Sequence, residues 1–289
     1  MMRSAIRVVG LVPHPHRELA RALARDAATW FGERGVAVRI PPEEAAAVGL
    51  SEHGCEPGAL LDGLDVAISL GGDGTMLRTV DLVGDSGVAV VGVNVGQMGY
   101  LAEVDPAHLG DTFTRLVEGD YDIDERMMLA VTVSSAGEAQ GAWSALNEAV
   151  VEKSRTGRLA RLAVDINGTP FTTYAADGVI VATPTGSTAY SLSARGPIVS
   201  PRIRCLLLTP VSPHMLFDRA LVLDGTEELR FEVTGDEPVQ LTLDGQTRGE
   251  LAVGDAVTFT AGPHPARIAT FGPRDFHQIL KAKFGLADR

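Results

Sequence analysis

The segment Gly71-Gly72-Asp73-Gly74-Thr75 follows an apolar run and opens a stretch with helical spacing. Glycines let a backbone approach a ligand closely, and the unpaired N–H groups at a helix start attract phosphate. An aspartate in such a turn repels phosphate, so anion binding alone gives Asp73 no purpose. It suits a base for a hydroxyl that attacks a phosphoryl group, or a metal-linked carboxylate. A capping aspartate in a plain glycine turn is the structural alternative. The turn is neither a Walker loop, which needs Gly-Lys-Ser/Thr, nor a G-x-G-x-x-G fingerprint.

A second cluster is Asp177-Gly178, a strand, and then Pro184–Ser193. Packing does not ask for five Ser/Thr hydroxyls and a tyrosine in those ten residues. Such a loop can hydrogen-bond ribose and phosphate oxygens, and Tyr190 can stack or donate. An ordinary polar surface loop is the alternative, and no G-x-S-x-G elbow supports a serine hydrolase. Asn147-Glu148, inside an otherwise apolar strand region, suits a base edge or sugar hydroxyls, although an exposed strand face explains the pair as well. Lys153, Arg155, Arg158 and Arg161 form either a local positive patch or a solvated hairpin face. The seven histidines show no metal-ligand spacing, and His14 and His16 read as exposed.

These groups need a scaffold of two kinds. Ile6–Val12, Val36–Ile40, Asp65–Leu70 and Val88–Val93 read as strands, with helices between them. One helix aligns Leu19, Leu23, Ala27, Trp30 and Phe31 and stops at Gly35; another runs from Thr75 to Val83. Strand–helix alternation with continuous apolar strands predicts a doubly wound parallel sheet, and Pro41–Leu64 reads as irregular. From about Glu125 the pattern changes to short strands: Met127–Val133, Gly141–Val151, Leu159–Ile166 turning at Asn167-Gly168 into Thr169–Tyr174, Gly178–Ala182, Arg204–Leu208, Glu228–Thr234, Val239–Leu243 and Ala256–Thr260. The tail Pro273–Phe284 regains helical spacing. The expected fold class is α/β, a doubly wound parallel N-terminal domain over 1–122 followed by a β-rich domain over 123–265, with a helix in 266–289 returning to the first.

Composition narrows the function. The chain has 289 residues and a formal net charge of −12, so the basic field needed for nonspecific nucleic-acid binding is absent. Its longest apolar stretches are short and glycine-broken, too short to span a bilayer. Two isolated cysteines, Cys55 and Cys205, give no disulfide framework. A cytoplasmic globular protein without a secretory signal is expected.

Together, Gly71–Thr75, Asn94-Val95-Gly96-Gln97-Met98-Gly99-Tyr100-Leu101, Asn147-Glu148, Asp177–Ser193 and Asp244-Gly245-Gln246 resemble the NAD kinase family in order and spacing. The glycine-aspartate turn is shared with phosphofructokinases and lipid kinases; the hydroxyl-rich segment with Tyr190 is far more specific. The resemblance implies ATP-dependent phosphorylation of the adenosine-ribose 2′-hydroxyl of NAD, with the site between an α/β and a β-rich domain. It makes Asp73 the general base and gives Gly71, Gly72, Gly74 and Thr75 the phosphate-approaching backbone, with Arg78 near substrate phosphate. Asn147 and Glu148 become adenosine contacts. Tyr100 stands where phenylalanine is usual, which keeps an aromatic wall. Thr185, Thr188, Ala189, Tyr190, Ser191, Leu192 and Ser193 line the dinucleotide pockets, and Arg158 matches a basic position near substrate. Asp177, Ser212 and His214 resemble positions that reach the site from a neighbouring subunit, and Gln246 lies on a late turn.

The same resemblance implies Mg²⁺ bound through ATP, NAD and ATP (or another phosphoryl donor) as partners, and a homodimer or homotetramer without nucleic acid or membrane. At Ala175 several relatives carry arginine. Its absence here leads us to expect NADH to be accepted beside NAD. A lipid or sugar kinase using the same turn, or a non-catalytic dinucleotide sensor, are the alternatives.

Overall fold

The computed structural model describes residues 5–96, 99–273 and 275–286, and the chain divides into two compact units. The first comprises residues up to Glu125 and those from Ala266 onward. Its elements run β1 (Val8–Pro13), α1 (Glu18–Gly32), β2 (Ala37–Arg39), α2 (Pro42–Val48), α3 (Pro57–Leu61), β3 (Val66–Gly71), α4 (Asp73–Val83), β4 (Ala89–Asn94), α5 (Leu109–Glu118) and β5 (Asp122–Arg126). Strands β1, β3 and β4 are almost wholly buried, as covered parallel strands must be. Helix α1 buries Ala20, Leu23, Ala24, Ala27, Ala28 and Phe31. Leu19, expected on that face, is instead 49% exposed, because the stripe is centred on the alanines. Trp30, Phe31 and Phe113 of α5 pack with ring centroids 4.7–5.3 Å apart.

Two corrections bear on the site. Pro41–Leu64 is not irregular: it holds α2, α3 and a single tight turn at Ser51–His53. Pro42 and Pro57 begin the two helices and Gly49 ends α2 in the left-handed region at φ 75°, the positions where proline and glycine belong in a helix. Helix α4 also starts two residues earlier than expected, so Asp73 occupies its first turn.

The second unit, Arg126–Pro265, contains β6 (Leu129–Ser135), β7 (Glu138–Ala145), β8 (Glu148–Lys153), β9 (Ala160–Ile166), β10 (Thr169–Ala176), β11 (Gly178–Ala182), α6 (Tyr190–Ser193), β12 (Cys205–Val211), β13 (Leu221–Asp224), β14 (Leu229–Val233), β15 (Val239–Leu243), β16 (Gln246–Leu251) and β17 (Ala256–Ala261). The expected run Gly141–Val151 is two strands broken at Leu146-Asn147, and β5, β13 and β16 were not foreseen. Two six-stranded sheets result, ordered β10-β9-β14-β17-β6-β7 and β13-β12-β11-β8-β15-β16, antiparallel throughout. Alternate residues of both, among them Leu162, Phe231, Phe259, Val151, Val179 and Leu208, form one core. Asn167-Gly168 turns the β9–β10 hairpin with both residues at positive φ, as a two-residue hairpin of that twist requires.

The chain then returns to the first unit as β18 (Ala266–Thr270) and α7 (Phe276–Phe284). The first sheet is ordered β2-β1-β3-β4-β18-β5, and its neighbours from β2 to β18 are parallel. Connections run outward in opposite directions from β1 and β3, so the switch point of the sheet lies between those strands. Ligands of open α/β sheets bind outside the carboxyl ends of the strands at such a point. No described helix is long and apolar enough to cross a membrane.

Candidate functional site

In the first unit the glycine turn sits at the carboxyl end of β3, beside that switch point. Asp73 Oδ2 accepts the Tyr100 backbone N–H at 2.7 Å, and Oδ1 accepts those of Leu101 and Ala102 at 3.0 and 3.3 Å. Three donors fix the carboxylate in one orientation, which a capping role would not need. Gly99 makes this possible: a Cβ there would overlap Asp73 Oδ1. Gly71 likewise leaves room for the buried Thr75 hydroxyl, while Gly72 and Gly74 have open space around them. The Gly71 carbonyl accepts the Val95 N–H at 2.7 Å, and the Val95 carbonyl accepts a hydrogen bond from Arg17. The ends of β3 and β4 are thereby tied to the segment after β1. Of the motif read over Asn94–Leu101, Gln97 and Met98 lie outside the described residues.

Arg78 lies one turn along α4 and pairs with the buried Glu44. Lys283 of α7 places its ammonium 4.4 Å from the Tyr100 ring centroid. Burial raises the Tyr100 phenol, and the Asp73 charge adds to the rise.

In the second unit Asn147 and Glu148 begin β8 and are buried, at 9% and 7% exposure, so the exposed-face reading of this pair fails. Asp244, with φ 47° in the β15–β16 turn, accepts the N–H groups of Leu146, Asn147 and Glu148 at 2.7, 2.8 and 3.0 Å. On the other side Thr183 binds the Leu146 and Asn147 carbonyls at 2.6 and 2.8 Å, and its hydroxyl accepts the Gly186 N–H. A side chain at Gly186 would strike the Asn147 backbone. The hydroxyl-rich segment is thus fastened to the Asn-Glu pair. Glu148 has one carboxylate oxygen buried without a hydrogen bond. Burial, then the Asp244 charge, pushes its pKa up to about 8, against a smaller pull from the Tyr190 N–H. At neutral pH Glu148 is therefore a carboxylic acid, able to donate as well as accept.

Glu148, Val150 and Glu152 alternate onto one face of their sheet, which the segment around α6 and Val199 covers. Tyr190, 39% exposed, has its phenol raised by burial and then by Glu152, Asp177 and Glu148. Glu148 and Glu152 stand about 13 Å apart along β8, at 3.3 Å per residue. Gln246 pairs with Leu243 at the Glu148 end. Asp177, ion-paired to Lys153, marks the other end. Arg155 and Arg158 share Glu237 at 3.3 and 3.4 Å, so one carboxylate offsets two of the patch's cations. Ser212, at φ 46°, leads into His214, whose N–H binds the Ala175 carbonyl at 2.7 Å.

The hydroxyl segment divides its work. Ser187 exchanges two hydrogen bonds with Val199, and Ser191 shares one with Thr209 at 3.0 Å, both fully buried. Both hydroxyls are therefore committed to holding the segment in place. The Thr188 hydroxyl binds the Thr185 carbonyl at 3.3 Å; Ala189 and Leu192 are half-buried and Ser193 is exposed. Arg17, Glu44, Gly99, Thr183, Gly186 and Asp244 were not singled out in the sequence as positioning residues. Gly99, Gly186 and Asp244 stand within motifs quoted from the sequence; Arg17 and Glu44 carry no signal there. Among the described residues no group of three or more His, Cys, Asp or Glu is arranged to hold a metal ion.

Residues 9–121 match the family model described as the ATP-NAD kinase N-terminal domain, and residues 146–271 that of the ATP-NAD kinase C-terminal domain. The NAD kinase of Heliobacterium modesticaldum is 40% identical over 276 residues, covering 95% of this chain and 97% of that protein. That of Syntrophotalea carbinolica is 35% identical over 282 residues, 97% and 99% of the two chains. Among solved structures, yeast NADH kinase complexed with NADH superimposes with a TM-score of 0.91 at 24% identity, over 99% of this chain and 90% of that one. An Archaeoglobus fulgidus NAD kinase in complex with ATP gives 0.69 at 22% identity, over 96% and 97%. At those identities the two structures speak for the fold.

Proposed function

The chain belongs to the NAD kinase family, and from that premise we propose that Asp73 takes the proton of the adenosine-ribose 2′-hydroxyl of NAD as that oxygen attacks the γ-phosphorus of ATP. NADP and ADP are the products. The observation that carries this reading is the Asp73 carboxylate, held by three backbone N–H groups beside the glycine turn at the switch point. A ribose hydroxyl is a poor nucleophile at neutral pH, and a positioned base contributes roughly 10²- to 10⁴-fold. Alignment and neutralisation of phosphoryl charge supply the remainder. In the first unit Gly71, Gly72, Gly74 and Thr75 present backbone to phosphate, Arg78 adds a cation, and Tyr100 offers its ring.

The second unit supplies dinucleotide recognition. Neutral Glu148 donates and accepts toward the adenosine, with Asn147 beside it. Thr185, Thr188, Ala189, Tyr190, Leu192 and Ser193 line the bound molecule, with Ser191 holding their segment in place and Ala175, Arg158 and Gln246 at its margins. Mg²⁺ belongs on the donor phosphates, because it keeps several waters and binds through substrate oxygens plus one or two carboxylates. Asp73 has roughly four lone-pair positions. Three are used by N–H groups, which leaves room for one proton or one water of the cation's shell.

Asp177, Ser212 and His214 are assigned to a site shared with a second copy. Exposed Phe171, Leu216, Phe217 and Val222 in the same unit supply apolar surface for that contact. A cytoplasmic setting accords with Cys55 and Cys205 both being free thiols. The reading is tested with purified protein, NAD, ATP and Mg²⁺, NADP being read by a coupled dehydrogenase. Asp73→Asn should keep the fold and NAD affinity while lowering kcat at least about a hundredfold. Near-normal turnover by that variant would overturn it.

A further inference from the structure

Glu44 is the least explained charge in the first unit. It lies on α2 at 2% exposure, between an exposed Glu43 and a buried Ala45. One oxygen meets the Arg78 guanidinium, and the other is buried without a hydrogen bond. A buried carboxylate with a single partner is a poor way to stabilise a fold, since an apolar side chain of similar volume does as well or better. Its geometry has a clear effect on Arg78, however. That side chain remains 44% exposed, and the pair with Glu44 is its one charged contact among the described residues.

Arg78 follows Gly74 by four residues, one helical turn. The two residues therefore share one face of the helix, and the space that a side chain at Gly74 would fill is open. An arginine presents five N–H donors in a rigid fork. Anchoring one edge on a buried carboxylate leaves the other donors at the surface, on a residue one helical turn from the glycine turn. An unanchored guanidinium would spread over many rotamers and lose that freedom on binding.

We propose that Glu44 is a positioning residue for Arg78: it holds the guanidinium so that its free edge meets the phosphate chain of a bound nucleotide. This rests on the kinase reading above. It further assigns to α2, which carries none of the motif residues, a part in phosphate recognition.

The experiment is a double-mutant cycle of Glu44→Gln and Arg78→Ala, read as KM and kcat for NAD and ATP. Direct binding of inorganic tripolyphosphate is measured by calorimetry in parallel. In the native background Glu44→Gln should weaken tripolyphosphate binding and raise the KM of one nucleotide about 5- to 30-fold, with kcat within about threefold. In the Arg78→Ala background the same change should alter either quantity by less than about twofold, since no guanidinium remains to be placed. Arg78→Lys keeps the charge but not the fork, and should show the same KM defect with Glu44 intact; it serves if Glu44→Gln does not fold. Equal effects of Glu44→Gln in both backgrounds, or a change in thermal stability with unchanged KM and binding, overturns the proposal. Absence of NADP formation by the native protein would overturn the kinase reading instead, while tripolyphosphate binding still decides the role of Glu44.

Discussion

Replacing Glu148 with glutamine should make the second unit more stable at neutral pH while preserving its shape. The carboxyl is buried beside Asp244 and its pKa stands at about 8 rather than the ordinary 4.5. Between those two values the folded protein holds a proton that the unfolded chain has released. The contribution of this group to stability is therefore greatest below pH 4.5, falls as pH rises, and is fully lost above pH 8. A gap of that size corresponds to about 5 kcal/mol above pH 8, and to about 3 kcal/mol at pH 7, where the folded form is still mostly neutral. Glutamine does not titrate, and its carbonyl can still accept the Tyr190 N–H. Urea unfolding of both proteins at pH 5.5 and pH 8 should show the variant's advantage growing by about 3 kcal/mol between the two. NAD affinity should differ by less than about tenfold at pH 7, where both side chains are neutral, and diverge above pH 8. Parallel pH profiles of stability in the two proteins would refute the reasoning, because the native carboxyl would then be ionised throughout.

Gly99→Ala should leave the fold intact and lower kcat/KM roughly 10- to 100-fold, since its Cβ displaces the Asp73 carboxylate; unchanged steady-state kinetics would show that this placement does not matter. Mixing Asp73→Asn with Asp177→Asn protein under confirmed subunit exchange should restore activity above the sum of the two, and a strictly additive mixture would exclude a shared site. NADH should be phosphorylated with kcat/KM about 5- to 30-fold below that for NAD, a difference of roughly 1 to 2 kcal/mol. A preference above a thousandfold, or none of it altered by Ala175→Arg, would break the link to residue 175, which in the structure faces Arg161 across the β9–β10 pair.

Chemistry and periodicity were legible in the sequence where they are local. The glycine-aspartate turn, the Asn-Gly hairpin and the buried parallel strands each depend on a few adjacent residues, and each stands where expected. What failed to show was cooperation at long range. Helix α2 spans only seven residues, too short for a period of 3.6 to register, and the buried charge of Glu44 interrupts the little apolar pattern it has. Ser187 and Ser191 looked available because hydroxyls carry no mark of their partner. Val199 and Thr209, which bind them, lie 12 and 18 residues away. The burial of Glu148 was equally hidden, since Asp244, which holds its backbone, is 96 residues distant.

The return of the chain as β18 sets an order of events during synthesis. In the completed sheet β5 has β18 as its single neighbour, and β4 has it on one side. About 140 residues, the whole second unit, separate β5 from β18. At roughly 5 to 20 residues per second, the nascent first unit waits about 7 to 28 s with β5 unpaired and the edge of β4 open. That edge carries Val90, Val91 and Val93, an apolar parallel strand of the kind that recruits other chains. A ribosome that stalls within residues 126–265 therefore releases an unsealed sheet rather than a shorter enzyme, and demand for chaperones should peak in that window.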